Sequence, residues 1–218
     1  MANMKVAVLI SGRGSNLQAL LDACAHKDFP ADIVSVISNK AGAQGLERAR
    51  KAGVAASFID HTLFETREDF ERALDEKLKE AGVQLVALAG FMRILTPWFV
   101  ERWKDRLINI HPSLLPAFRG VHTHERALEN GVRVHGATVH YVRPEMDDGP
   151  IIGQAAIPVL PDDTADTLAA RVLEAEHQLY PACLKLVALG KARVTAERVR
   201  IDKDAAAEAS AVLLNPHK

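Results

Sequence analysis

The chain has 218 residues, which is enough for one substantial hydrophobic core but too few for two separate domains of ordinary size. Hydrophobic residues make up 48% and charged residues 25%, as in an ordinary soluble globular protein. The net charge is -1 and the sequence has no cluster of basic residues, which argues against a nucleic-acid partner. No signal peptide is recognisable and no apolar run approaches the ~18 residues of a membrane span, so we expect a cytoplasmic protein without a membrane partner.

Strand and helix patterns alternate through the first half of the chain. Apolar, β-branched runs predict strands at 5–11, 32–38, 56–59, 85–89 and 107–111. Apolar residues at helical spacing predict helices at 16–26, 43–52 and 66–80. This alternation favours an α/β fold with a doubly wound, mostly parallel sheet and helices on both faces.

The second half has a different pattern. Two strand-like runs, 134–142 and 151–159, flank a polar loop, and a third run at 192–201 is interpreted as a last strand. A long helix is predicted from a cap at Asp163 or Thr164 to about residue 189, with a bend at Pro181. Cys24 and Cys183 lie in helical patterns far apart, so we interpret them as buried, reduced thiols.

Residues 202–218 are rich in alanine and weakly patterned. We expect them to form a loosely ordered tail after a single domain of residues 1–201.

The stretch "ISGRGSN" at 10–16 joins the first strand to the first helix. Gly12 and Gly14 permit positive φ, and Ser15 and Asn16 can cap the helix, whose N-terminus offers free N–H groups and a partial positive charge. These features suit a phosphate group. The alternative is a tight turn that needs glycine for its geometry alone.

A dinucleotide site is a poorer interpretation of this loop. The G-x-G-x-x-G fingerprint would need glycine where Leu17 stands, and an acidic residue where the second strand ends with Asn39 and Lys40. A Walker loop is excluded because no Gly-Lys-Ser/Thr follows. We therefore expect a phosphomonoester rather than NAD.

The stretch "INIHPSLLP" at 108–116 ends an apolar strand with two polar side chains. Asn109 and His111 are two residues apart, so they point to the same face of the strand. Catalytic groups gather at the carboxyl ends of strands in a doubly wound sheet, and an amide beside an imidazolium can stabilise an acyl-transfer oxyanion. The alternative is a histidine that only packs or hydrogen-bonds at the strand end.

Two neighbouring segments bear on this site. The loop "PEMDDGP" at 144–150 is the expected source of a carboxylate that orients the imidazole, with a plain β-turn as the alternative. The segment "HTHE" at 122–125 lacks the i, i+4 spacing of a helical zinc pair, so we expect no metal. Thr123 as a helix cap, with Glu125 in the first turn, accounts for that segment.

Seven segments together resemble the phosphoribosylglycinamide formyltransferase family, a folate-dependent branch of the formyltransferase superfamily. They match in order and spacing over roughly residues 4 to 190, and they are "ISGRGSN", "SNK" (38–40), "LAGFMRIL" (88–95), "NIHPSLLP" (109–116), "HGATVHYV" (135–142), "DDGP" (147–150) and "EHQLYP" (176–181). The resemblance implies a Rossmann-like formyltransferase fold and a monomer or weak homodimer. It also implies transfer of a formyl group from 10-formyltetrahydrofolate to the amine of glycinamide ribonucleotide, a step of purine synthesis.

The resemblance also assigns roles to individual residues. The catalytic trio would be Asn109, His111 and Asp147, with Asp147 holding His111 protonated. The ribonucleotide would contact Gly14, Ser15, Asn16, Leu173, Glu174, Ala175 and Glu176, with Glu176 on the ribose. The folate donor would contact Arg67, Met92, Arg93, Ile94, Leu95 and Asn109, together with the loop residues Arg143, Pro144, Glu145, Met146 and Asp147.

The sequence itself bears on two of these assignments, those of Asp147 and Glu176. Asp148 stands where the family often has glycine, which leaves open which carboxylate faces His111, although counting along the chain favours Asp147. Helical spacing predicts a buried stripe with Glu176 on its edge and Glu174 pointing away; the members of that stripe are Leu168, Val172, Ala175 and Leu179.

Three other functions compete with this interpretation. A methionyl-tRNA formyltransferase should carry a further C-terminal domain and a basic surface, and a formyltetrahydrofolate hydrolase should carry an N-terminal regulatory domain; we expect neither here. A phosphate-binding module without catalysis would not need the trio.

Overall fold

The structure is a computed structural model, and it describes residues 2–205. Its strands are β1 (Met4–Ile10), β2 (Ala31–Ser38), β3 (Ala55–Phe58), β4 (Leu85–Leu88), β5 (Leu107–His111), β6 (Val134–Tyr141), β7 (Ile151–Pro158), β8 (Ala192–Thr195) and β9 (Arg198–Ile201). Its α-helices are α1 (Ser15–Cys24), α2 (Gln44–Lys51), α3 (Arg67–Glu80), α4 (Pro97–Arg102), α5 (Thr123–Glu129) and α6 (Ala165–Ala188), and short 3-10 helices cover His61–Leu63 and Lys203–Ala205.

Seven strands form a mixed sheet in the order β3-β2-β1-β4-β5-β6-β7. The pairs from β3 to β5 are parallel, and β6 pairs with β7 in the antiparallel direction. The predicted α/β class with a mostly parallel sheet is confirmed. The described residues divide into two compact units: the first holds 2–109 with 141–144, and the second holds 110–140 with 145–205.

The first unit has a core made by one face of α3 and the parallel strands. Thr66 caps α3 through a capping box with Asp69, so the helix begins where its polar residues satisfy the free N–H groups. Phe70, Leu74 and Leu78 then recur every four residues and are buried against strand residues that include Ala7, Leu9, Val86 and Leu88.

The second unit has a smaller core between β6, α5 and α6. Its buried members are Ala127, Ala137, Val159, Leu168 and Val172. Thr164 caps α6 through a capping box with Thr167, which settles the choice between Asp163 and Thr164. None of the helices within residues 2–205 is both long enough and apolar enough to cross a membrane.

Several sequence predictions are corrected by the structure. The run 192–201 is a hairpin of β8 and β9, because Ala196 and Glu197 both take positive φ and reverse the chain. Cys183 is buried as predicted, but Cys24 is only partly buried, and both thiols are free. Helix α4 was not predicted. Of the predicted tail, residues 206–218 lie outside the described residues.

Candidate active site

The glycine loop lies between β1 and α1 in the first unit. Gly14 is the N-cap of α1, with φ 70° and ψ 37°, a left-handed conformation that favours glycine. A Cβ at Gly14 would lie 2.7 Å from the Cα of Gly45 in the first turn of α2. Glycine is therefore required here by backbone geometry, whatever ligand the loop binds.

The predicted capping by Ser15 and Asn16 is wrong. Ser15 is the first residue of α1, and the N-cap is Gly14, which has no side chain to cap the helix. The loop is instead held by α2, since the Gly45 amide donates to the Gly12 carbonyl at 3.1 Å and Arg48 Nε donates to the Arg13 carbonyl at 2.9 Å. Helix α1 thus begins with a glycine at its N-cap position, and the N–H groups of such a helix N-terminus favour an anion such as phosphate.

The predicted folate loop, residues 92–95, follows β4 in the same unit. Met92 and Ile94 are 75% and 61% exposed, whereas Leu95 is buried. The guanidinium of Arg93 lies 5.3 Å from the centre of the Phe70 ring. The loop therefore offers two exposed apolar side chains on a segment that is anchored in the core, which suits a flat aromatic ligand.

The two arginines assigned to the folate have different surroundings. Arg67 is the exposed first residue of α3. Arg143 has a side chain only 8% exposed, and its guanidinium donates to Asp105 at 2.7 Å. Arg143 thus has a structural ion pair, and its neighbours Pro144, Glu145 and Met146 are the exposed part of that loop.

His111 ends β5 and is buried, and an oxygen atom lies near each of its ring nitrogens. Its Nε2 lies 3.0 Å from the carbonyl oxygen of Phe118, and its Nδ1 lies 3.5 Å from Oδ2 of Asp147. The ring is therefore held between a main-chain carbonyl and a carboxylate.

Asp147 and Asp148 have different partners. Besides His111, Asp147 accepts a hydrogen bond from the Gly120 amide at 2.8 Å, and its Oδ1 lies 3.9 Å from Nε2 of His140. The carboxylate of Asp148 is exposed and pairs with Arg119. Of the two adjacent carboxylates, Asp147 is the one that faces His111.

The backbone around this pair is unusual. Phe118, His122 and Asp147 all have φ between 52° and 58°, which is uncommon for residues other than glycine and is concentrated at functional sites in proteins. Sequence reasoning did not identify Phe118 and Gly120 as partners of the pair, because they act through main-chain atoms that no side-chain pattern reveals.

Asn109 lies on β5 two residues before His111. It is half-buried, and its Cα pairs with that of Leu88 on β4. Successive side chains alternate along a strand, so Asn109 and His111 share a face.

The segment Leu173–Glu176 lies on α6 in the second unit. Glu176 is only 6% exposed and follows Leu168 and Val172 at intervals of four residues, so it lies within the buried stripe and not on its edge. Leu173 and Ala175 are half-buried, and Glu174 is exposed, as predicted.

The "HTHE" segment differs in detail from its prediction. Thr123 is the first residue of α5, and His122 occupies the cap position with a left-handed backbone. His122 is exposed and faces Glu125, whereas the ring of His124 packs edge-on against that of His135 at 5.3 Å. Burial lowers the pKa of His124, and burial with the nearby His124 and His111 lowers the pKa of His135 to about 4.

Comparison with known proteins identifies the class. Residues 4–184 match the formyl transferase family, Formyl_trans_N. The chain therefore belongs to the formyl transferase family.

Individual relatives narrow the comparison. The chain is 48% identical to phosphoribosylglycinamide formyltransferase of Escherichia coli K12, over 88% of this chain and 90% of that protein. A solved structure of glycinamide ribonucleotide transformylase 1 from Symbiobacterium toebii superposes with a TM-score of 0.89 at 48% identity, covering 91% of this chain and 94% of the other. The trifunctional purine biosynthetic protein adenosine-3 of Gallus gallus is 51% identical over 88% of this chain, which spans only 19% of that longer protein.

Proposed function

We propose that this chain is a phosphoribosylglycinamide formyltransferase. It transfers the formyl group of 10-formyltetrahydrofolate to the amine of glycinamide ribonucleotide, giving formylglycinamide ribonucleotide and tetrahydrofolate in purine synthesis. The observation that carries the proposal is the buried His111–Asp147 pair at the carboxyl end of β5, in a chain whose full-length relatives include enzymes of that name.

The proposed chemistry is a direct attack of the amine on the formyl carbon. The new C–N bond forms while the carbonyl oxygen gains negative charge, and the bond from the formyl carbon to N10 of the folate then breaks. One proton leaves the amine and one is gained by N10, so the reaction needs no outside oxidant or water.

His111, Asp147 and Asn109 fit the charges that this attack creates. A protonated imidazole donates a charged hydrogen bond to the oxyanion, and Asn109 donates a neutral one. Asp147 orients the ring, with Oδ2 3.5 Å from Nδ1 of His111. Because the Phe118 carbonyl accepts from Nε2 at 3.0 Å, donation from that nitrogen requires this bond to be exchanged for one to the substrate. His111 then also moves the amine proton to the leaving N10.

Each segment is assigned the ligand group that suits its exposure and its polar groups. The uncapped N-terminus of α1, at Gly14, Ser15 and Asn16, binds the phosphate of the ribonucleotide. Glu176, fixed by its burial, accepts from the ribose hydroxyls, and the rest of the 173–176 turn lies against the sugar. The loop 92–95, with Arg67 and the residues 143–147, binds the folate.

A turnover assay tests the proposal. Purified protein should convert glycinamide ribonucleotide and 10-formyltetrahydrofolate to formylglycinamide ribonucleotide and tetrahydrofolate. The formation of tetrahydrofolate is followed by absorbance. The same assay with a substrate analogue that lacks the phosphate should show a KM raised at least about a hundredfold, because charged hydrogen bonds at the helix N-terminus are lost. Equal rates with and without the ribonucleotide would identify a formyl-folate hydrolase instead.

A further inference from the structure

The folate loop is held at both ends by buried polar side chains. At its start, the Met92 amide donates to Oγ of Ser11 at 2.8 Å. After its end, the Thr96 amide donates to a carboxylate oxygen of Glu71 at 2.8 Å. Ser11 is 6% exposed and Glu71 is 2% exposed, so the side-chain partner in each bond is buried while Met92 and Ile94 remain exposed.

Ser11 has three further connections that Glu71 lacks. Its amide donates to the Gly90 carbonyl at 3.0 Å, and its hydroxyl donates to Oδ1 of Asn39 at 2.6 Å. A hydroxyl carries one hydrogen, so donation to Asn39 turns its lone pairs toward the Met92 amide. The third connection is covalent, because Ser11 leads directly into the glycine loop at Gly12.

Asn39 is itself fixed. It is 3% exposed, and its main-chain carbonyl accepts a hydrogen bond from Nδ1 of His61 at 3.0 Å. Ser11, Asn39 and Met92 follow β1, β2 and β4, which are neighbours in the sheet in the order β2-β1-β4. One hydroxyl therefore ties together the segments that follow three adjacent strands.

We propose that Ser11 is a positioning residue shared by the glycine loop and the folate loop, and that Asn39 orients the Ser11 hydroxyl. The inference rests on the proposed function, because that function assigns residues 14–16 to the phosphate and residues 92–95 to the folate. It also gives a role to the "SNK" segment, since Asn39 is the acceptor that sets the direction of the Ser11 hydroxyl.

Replacement of Ser11 by alanine removes the hydrogen-bond partner of the Met92 amide and that of the buried carboxamide oxygen of Asn39. The Met92 end of the folate loop then has no side-chain anchor, and we expect the KM for 10-formyltetrahydrofolate to rise about tenfold. The KM for the ribonucleotide should rise about two- to threefold, since the Gly45–Gly12 hydrogen bond still holds the glycine loop. The kcat should change by less than about threefold, because Ser11 touches no reacting atom.

Ser35→Ala is the matched control. Ser35 is also a serine that is 6% exposed in the first unit. It lies inside β2, where its Cα pairs with those of Ala7 and Ala55, and not at a strand end. A general effect of losing a buried hydroxyl would appear in both variants, whereas a positioning effect appears only in Ser11→Ala.

The experiment combines kinetics with hydrogen exchange of the Met92 amide in the ligand-free protein. In Ser11→Ala we expect faster Met92 exchange, by about tenfold or more, and the raised folate KM; in Ser35→Ala we expect neither. Asn39→Ala should give the same two effects more weakly, and the double variant Ser11→Ala/Asn39→Ala should be no worse than Ser11→Ala alone, because both changes break one chain of bonds.

Unchanged Met92 exchange in both Ser11→Ala and Asn39→Ala would overturn the inference, as would a folate KM equal to that of Ser35→Ala. If Ser11→Ala does not fold, the exchange and KM of Asn39→Ala decide the matter alone. Absence of turnover in the wild type would refute the proposed function separately, and Met92 exchange would then decide whether Ser11 anchors this loop.

Discussion

Asp147 and Asp148 are adjacent in sequence, yet only Asp147 faces the buried imidazole of His111. Asp147→Asn keeps the size of the side chain and removes its charge. We expect turnover at neutral pH to fall about 10²–10³-fold, the typical cost of losing one oxyanion donor, with the KM for the ribonucleotide changed by less than about twofold.

Asp148→Asn is the matched change. It removes an exposed ion pair with Arg119, and exposed pairs contribute only about 0–1 kcal/mol. Steady-state kinetics of the two variants across pH 5–9 should therefore differ sharply. Loss of turnover in Asp148→Asn with normal turnover in Asp147→Asn would refute the assignment.

Glu176 is a buried carboxylate on a helix whose neighbouring Glu174 is exposed. If Glu176 accepts from the ribose hydroxyls, Glu176→Gln should raise the KM for the ribonucleotide about tenfold and leave the folate KM unchanged, because hydrogen bonds to a charged acceptor contribute about 1.5–3 kcal/mol. Glu129→Gln, at an exposed position in α5, is the control. Equal kinetics in both variants would leave Glu176 with a purely structural role.

Among the elements, the N-terminus of α1 allows backbone strain and ligand binding to be tested by two different substitutions. Gly14→Ala places a side chain in a left-handed conformation and against Gly45, so it should lower the free energy of unfolding by at least about 1–3 kcal/mol whatever the loop binds. Ser15→Ala leaves that geometry intact. Its ribonucleotide KM should rise about tenfold with an unchanged Tm, since Ser15 does not cap the helix.

That comparison decides between the two interpretations of the glycine loop. Thermal denaturation and steady-state kinetics of Ser15→Ala are the measurements. A normal ribonucleotide KM in Ser15→Ala would favour a loop that needs glycine for geometry alone.

His135, a residue of β6 whose ring packs against His124 of α5, makes stability sensitive to acid. Burial, with His124 and His111 nearby, lowers the pKa of His135 from 6.5 to about 4. A lowered histidine pKa means that the unfolded chain binds more protons, so this stabilisation is complete above pH 6.5 and is lost as the pH falls toward about 4. The loss amounts to about 3 kcal/mol at pH 4, at about 1.4 kcal/mol per pKa unit.

His135→Leu should remove most of that dependence. Urea denaturation at pH 7 and pH 4 measures the difference in unfolding free energy between the two conditions, which should be smaller in the variant by about 2–3 kcal/mol. Part of the dependence should remain, because burial also lowers the pKa of His124 and His177. Identical pH dependence in both proteins would contradict this account.

Elements with a strong local signal were predicted and others were not. Helix α3 has a capping box and apolar residues every four positions, so its sequence alone locates it. Helix α4 has six residues and only two buried ones, too few for a periodicity. The turn between β8 and β9 uses Ala196 and Glu197 at positive φ, where a sequence pattern would require glycine or asparagine.

The candidate site was predictable only in part. Asn109 and His111 stand two apart on one strand, so their common face follows from the sequence. The approach of Asp147 to His111 joins residues 36 positions apart and needs the fold. The burial of Glu176 was missed because a glutamate in an i, i+4 stripe is not counted as apolar, although Leu168 and Val172 on one side and Tyr180 on the other continue the spacing.

Across the sheet, the strand order explains why residues with proposed roles in binding lie just after strand ends. Ser11, Asn39 and Met92 follow the carboxyl ends of β1, β2 and β4, which run parallel. Parallel strands bring those ends to one edge of the sheet, where ligands bind in folds of this class. The antiparallel β6 and β7 then carry the chain into and out of the loop that holds Asp147.

The most direct test of direct formyl transfer is a single turnover with the formyl carbon of 10-formyltetrahydrofolate labelled with ¹³C. Enzyme in excess is mixed with the labelled folate, the ribonucleotide and unlabelled formate, and the products are followed by ¹³C NMR. Direct attack predicts that the label appears in the formylated ribonucleotide in equal amount with tetrahydrofolate, with none in formate. Labelled formate, or an unlabelled formylated ribonucleotide, would contradict the account.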